Sequence, residues 1–198
     1  GAVTKVSLIW LERDELTPTV SKKLLPADIL LDIGCGIRPQ PFVKPKVHIC
    51  CEPFQPYIEY LQNLIKEDKT RHYVVINATW SQIVSLFPPK SVDSIFLLDV
   101  IEHLEKKEAI HLLKLTEQIA RIQIVVFTPL GFLPQKHPDG KDAWGFDGGL
   151  WQEHRSGWEP DDFDITWDLC AAKIYHFVDN MGRAFETPYG ALWALKSF

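Results

Sequence analysis

The sequence predicts an α/β fold: an open, doubly wound, mostly parallel sheet with helices on both faces. Three observations point there. Short apolar runs at 29–33, 46–51, 72–76, 92–98 and 122–127 have the length of strands, and the last is apolar almost throughout, as a central parallel strand is. Between them, 56–66 and 105–120 carry apolar residues at helical spacing. The first run ends Leu31-Asp32-Ile33 and is followed at once by Gly34-Cys35-Gly36. Such a tight, side-chain-free turn is what an open sheet presents to a ligand at its carboxyl edge.

Two nucleotide-like ligands suit that turn, and its neighbours separate them. A dinucleotide site needs a third glycine and a helix N-terminus aimed at the pyrophosphate. Here the third position is Pro39, and Pro41 and Pro45 follow, so no regular helix is expected over 37–46. Asp32 would also repel a phosphate. A ligand with an ammonium group and no phosphate fits better, and S-adenosylmethionine (SAM) is one.

The run Leu31-Asp32-Ile33-Gly34-Cys35-Gly36 resembles the first motif of class I SAM-dependent methyltransferases. The run Leu98-Asp99-Val100-Ile101-Glu102-His103-Leu104 resembles their fourth-strand motif, in the form with a Glu-His pair found among small-molecule methyltransferases. One departure is Arg38, where the family often has a further glycine. The resemblance implies a Rossmann-like, mostly parallel sheet of seven strands closing with an antiparallel C-terminal hairpin. It also implies SAM as cofactor, with Asp32, Gly34, Cys35, Gly36, Asp99 and Val100 on the cofactor side.

Taken in order, residues 1–27 are an N-terminal segment, irregular or partly helical, that caps or packs against the domain; the alternative, by the same resemblance, is that it lies over the ligand. After the glycine turn, the strand at 46–51 ends at Glu52, twenty positions beyond Asp32. An acid there binds ribose hydroxyls in Rossmann-like folds, since one carboxylate accepts two hydrogen bonds. The helix over 56–66 starts with Pro56 in its first turn. The third strand ends at Asn77-Ala78, where the resemblance places the adenine contact: Asn77 through its side-chain carbonyl, Ala78 by leaving room for the ring. A helix at 81–87, the strand at 92–98 ending in Asp99, the helix at 105–120 and the strand at 122–127 follow. Residues 128–160 lack periodicity but hold Trp144, Trp151 and Trp158, so they read as a folded, substrate-side loop. A helix is expected over 160–171, then strands at 173–178 and 189–195. No linker or repeat divides the chain, so 1–198 is one domain.

Part of that loop, 128–135 with 152–158, resembles methyltransferases of sugar, lipid or cell-envelope metabolism, which implies a small-molecule acceptor of that kind. The candidate general bases are His103, just beyond the fourth strand, and His154, in the loop. His48, His72, His111 and His176 fall in strands or a helix and read as structural. A metal set drawn from His137, Asp139, Asp142, Asp147 and His154 has no recognised ligand spacing, so no metal is expected. The second reading is a non-catalytic SAM-fold protein serving as a binding or partner subunit.

With 198 residues, 46% hydrophobic and 24% charged, the chain has globular composition and length for a full core. A net charge of −5 without a Lys/Arg cluster argues against nucleic acid as the main partner. Four cysteines show no zinc spacing, and no apolar run approaches a membrane span; a reduced, cytoplasmic setting is expected.

Overall fold

The computed structural model describes residues 7–198. It contains β1 (Ser7–Trp10), α1 (Arg13–Lys23), β2 (Ile29–Ile33), β3 (Val47–Cys51), α2 (Gln55–Ile65), β4 (His72–Ile76), α3 (Trp80–Leu86), β5 (Val92–Leu98), α4 (Lys106–Ile119), β6 (Ala120–Leu130), α5 (Gly149–Gln152), β7 (Asp168–Val178) and β8 (Ala184–Ser197). All eight strands form one sheet in the order β1-β7-β8-β6-β5-β2-β3-β4, and β8 alone runs antiparallel to its neighbours. The Rossmann-like α/β class is therefore the observed one.

Its central strands are buried on both faces, as their apolar runs require: β2 and β5 have no exposed residue. The helix starts follow local chemistry. Thr79 caps α3, its Oγ1 accepting from the Gln82 N–H while Gln82 Oε1 accepts from the Thr79 N–H at 2.8 Å. Along α4, Ala109, Leu112, Leu113, Thr116 and Ile119 are the buried stripe, at the expected helical spacing.

Four expectations need correction. The sheet has eight strands rather than seven, because β1 adds at the edge, parallel to β7 from Ser7↔Asp168 to Trp10↔Ala171. Within the N-terminal segment, residues 1–6 lie outside the described residues; the partly helical expectation holds for α1, and the strand β1 is what the expectation lacked. The long loop begins later than expected, since β6 continues to Leu130, and runs over 131–167. Finally, the stretch 160–171 is not a helix. It has one 3-10 turn, Pro160–Asp162, and is strand from Asp168. Trp158, Phe163 and Trp167 anchor this stretch to the core, with ring centroids 5.9 and 5.4 Å apart in turn. Burying three large rings outweighs two acids at a helix N-terminus, each worth ~0.3–1 kcal/mol.

No helix connects β2 to β3, as the prolines dictate. Gln40, itself buried, organises that crossover: its Oε1 accepts from the N–H groups of Phe42 and Val43 at 3.0 and 2.9 Å, and its Nε2 donates to Val43 O at 2.6 Å. The sheet face that such a helix would cover is taken by α1. Leu16 and Val20 pack there with Leu30, Val43, Phe96, Val125 and Trp193.

Candidate active site

The residues that follow β2, β3, β4, β5 and β6 are Gly34, Glu52, Asn77, Asp99 and Gly131, so five parallel strands deliver them to one edge. Gly34 and Gly36 both take positive φ, +66° and +58°. A Cβ at Gly34 would lie 2.9 Å from Val100 Cγ2, so the position is closed by space as well as by backbone. Asp99 also holds a left-handed φ, +55°, an uncommon conformation for a side-chain-bearing residue and one found at binding sites.

Two cavities open along this edge. The first, about 670 Å3, is walled by Ile33, Glu52, Ala78, Trp80, Val100, Leu104 and Trp151. The second, about 520 Å3, is more polar, with His137, His154, His176, Glu102, Asp142 and Arg38. They share Gly34, Asp99, His103 and Gln152. An elongated ligand in the first can therefore reach a second molecule in the other. None of residues 7–27 lines either cavity.

Glu52 is buried beside the glycine turn. Its Oε1 accepts from the Gly36 N–H at 3.1 Å and its Oε2 from the Phe54 N–H at 2.8 Å. Burial pushes its carboxyl up to about 7 against the pull of those two amides. Ala78, Thr79, Trp80 and Ser81 continue the same wall. Asn77 does not join it. Its amide turns back on the chain, beside Gln55 Oε1 and the carbonyls of Glu52 and Pro53. Asp32 lies outside both linings too. Its Oδ2 accepts from the Gln40 N–H at 2.8 Å and sits 2.8 Å from His48 Nε2, while Arg71 donates to His48 Nδ1 at 3.0 Å. Asp32 thus holds the glycine turn from beneath. Cys35 is buried under the same turn, its Sγ 3.6 Å from Gly36 O.

The long loop folds over this assembly. Trp144 lies against Gly36, with the Arg38 guanidinium 5.5 Å from its ring centre. Asp142 takes the Tyr57 hydroxyl of α2 on Oδ2 and the N–H groups of Trp144 and Phe146 on Oδ1. Its return strand is pinned to a 3-10 turn after β5, Ile101–His103: the N–H groups of Arg155 and Ser156 donate to Glu102 O at 2.7 and 3.1 Å. That pairing sets His154 against His103, ring centroids 4.9 Å apart. His103 Nδ1 is 3.1 Å from Glu153 O, and His154 Nδ1 is 2.6 Å from Leu133 O. Burial disfavours the imidazolium form of both, pushing His103 down to about 3 and lowering His154. Arg155 commits its guanidinium to the carbonyls of His103, Glu153 and Leu150 and to the Glu153 carboxylate at 3.5 Å, so it is a clasp.

Sequence reasoning missed two features of the second cavity. His176, assigned to a strand interior, lines it, and its Nε2 is buried without a partner. Glu102 faces it too, 2% exposed, beside Asp99. Depth in the cleft pushes Asp99 up to about 6, and burial together with Asp99's charge holds Glu102 well above the usual carboxylate range. The adjacency of Glu102 and His103 in sequence was the available signal for Glu102.

No family model matches this sequence, and no curated protein matches it. Solved structures do. The chain is similar to a SAM-dependent methyltransferase from Archaeoglobus fulgidus, with 13% identity and a TM-score of 0.54, over 94% of this chain and 92% of that one. It is similar to magnesium protoporphyrin IX methyltransferase from Synechocystis PCC 6803, solved with bound S-adenosylhomocysteine (SAH). There identity is 15% and the TM-score 0.55, over 93% of this chain and 80% of that one. The match to the cyclopropane synthase MmaA2 from Mycobacterium tuberculosis has 21% identity and a TM-score of 0.46. It covers 61% of this chain and 43% of that one, less than half of that protein's length. The likeness to the first two is one of fold.

Proposed function

We propose that the chain is a SAM-dependent methyltransferase acting on a polar small-molecule acceptor. Glu52 carries the reading: a buried carboxylate with both oxygens oriented by backbone amides, in an apolar cavity that begins at the glycine turn. That is the arrangement that recognises a ribose diol. The methyltransferase neighbours, one of them with SAH bound, support it. A dinucleotide is disfavoured because no helix N-terminus follows Gly36; the next helix begins at Gln55.

In this reading the adenosine occupies the first cavity, with Glu52 on the ribose and Ala78 to Ser81 along the base. SAM supplies a methyl group already activated on a sulfonium. The chain's part is alignment and exclusion of water. Gly34, Asp99, His103 and Gln152, shared by both cavities, mark where donor and acceptor meet. Trp144 and Trp151 close the loop over the site. The imidazoles and carboxyls of the second cavity suit a hydroxyl- or amine-bearing acceptor better than an acyl chain, which narrows a sugar, lipid or envelope metabolite toward its polar end. His103 and His154 are the side chains placed to meet its nucleophile.

Calorimetry with SAM, SAH, NAD and NADP tests the reading. SAM and SAH should bind and the dinucleotides should not; NAD binding without SAM binding would sink it. His154→Ala should then lower turnover more than SAH affinity.

A further inference from the structure

Glu102, His103 and His154 place one ligand-competent atom each within 4.8 Å of one another, where the two cavities join. More than proximity marks the cluster. Each imidazole commits Nδ1 to a backbone carbonyl, Glu153 O or Leu133 O, and neither Nε2 makes a hydrogen bond among the described residues. A histidine ligand is oriented in this way, its outer N–H fixed and its inner lone pair free. The Glu102 carboxyl is buried in hydrogen-bond contact with that of Asp99, accepts weakly from Thr128 Oγ1 at 3.4 Å, and has no ion pair among the described residues. Arg155, a nearby cation, is bound to three carbonyls and ion-paired with Glu153 at 3.5 Å rather than with Glu102. A buried carboxyl held against a second acid ionises only at a cost, which a bound cation would offset. The backbone bonds of Arg155 and Ser156 to Glu102 O hold the three groups together before any ligand arrives.

We propose that Glu102, His103 and His154 bind a divalent transition-metal ion whose remaining positions open toward the second cavity. Two imidazoles and one carboxylate suit manganese, iron, cobalt or zinc, whereas calcium and magnesium prefer all-oxygen sets. The site deepens the methyltransferase reading, and its catalytic role rests on that reading. An acceptor hydroxyl on the ion becomes more acidic. Its proton passes to solvent, its oxygen pair forms the bond to the methyl carbon, and the carbon–sulfur pair stays on sulfur, which turns from sulfonium to thioether. His103 and His154 then serve as ligands rather than proton acceptors.

The test is a Co2+ titration of the chelator-treated chain followed by visible absorption, with SAH calorimetry run in parallel. One Co2+ per chain is expected. Glu102→Gln, His103→Gln and His154→Gln should each lower Co2+ affinity by at least about tenfold. Circular dichroism and urea titration at parental midpoints show that these variants are folded, and the exposed-residue variant His72→Gln should bind Co2+ like the parent. Pulsed electron paramagnetic resonance of the Mn2+-loaded parent should show imidazole nitrogen coupling, which needs no variant. The proposal is overturned by the absence of saturable Co2+ binding, by His154→Gln binding as tightly as the parent, or by loss of that nitrogen coupling. A thiolate charge-transfer band that disappears in Cys50→Ser would also overturn it, because the ion would then occupy the buried Asp32-His48-Cys50 cluster. Parent that binds Co2+ but not SAH would remove the methyltransferase reading and leave the metal site standing.

Discussion

Both oxygens of Glu52 are held by backbone amides in the ligand-free chain, so a bound diol would find its acceptor already aimed. Glu52→Ala should weaken SAM by about 1.5–3 kcal/mol, the range for a hydrogen bond to a charged group, measured by calorimetry. The same side chain gives a pH dependence. Its pKa is raised to about 7, chiefly by burial, and ribose hydroxyls donate to the ionised form. SAM affinity should therefore be full above neutrality and fall as pH drops below about 7, approaching about tenfold per unit, and Glu52→Gln should flatten the profile. Asp32 predicts a different kind of loss. It touches Gln40 and His48 beneath the turn, so Asp32→Ala leaves buried donors without their acceptor. It should cost about 3–5 kcal/mol of folding stability in urea titration, with weakened SAM binding as a consequence. The motif singled out the residue; the packing shows that it touches Gln40 and His48 and lines neither cavity.

Among the elements, α1 does the work that a helix between β2 and β3 would otherwise do. Leu16 is fully buried in the cluster with Leu30, Phe96 and Trp193. Leu16→Ala should cost about 2–5 kcal/mol by chemical denaturation, the usual penalty for emptying such a site. It should leave SAH affinity per folded molecule unchanged, since α1 lines neither cavity. The long loop depends on Tyr57 and Asp142, which join it to α2. Tyr57→Phe leaves one Asp142 oxygen short of a donor, at a cost of about 1–3 kcal/mol. Amide hydrogen exchange over 137–148 should speed up while the β2 and β5 strands stay protected. Within single elements the sequence was a good guide. The runs at 29–33, 72–76 and 92–98 are strands with those bounds, because a buried parallel strand writes its burial directly into composition. It failed at 160–171, where acids suited to a helix start were overruled by Trp158, Phe163 and Trp167.

At the scale of the whole molecule, the sheet carries the ligand edge and the loop between β6 and β7 completes it. The glycine turn, Glu52 and Asp99 could be placed at that edge from sequence, since each directly follows a strand and parallel strands end together. Positive φ at Gly34 and Gly36 is likewise a local property that residue type announces. Tertiary structure alone decided the rest. The pairing of β1 with β7 joins Ser7 to Asp168 across 161 positions. The cover supplied by α1 depends on a face that another segment's prolines left bare. His154 meets Glu102 and His103 only because Arg155 and Ser156 bond to a carbonyl about fifty residues earlier. Strands and turns are set by neighbours along the chain, which a sequence displays; an edge, a cover and a three-residue cluster are set by neighbours in space, which exist only once the chain has closed.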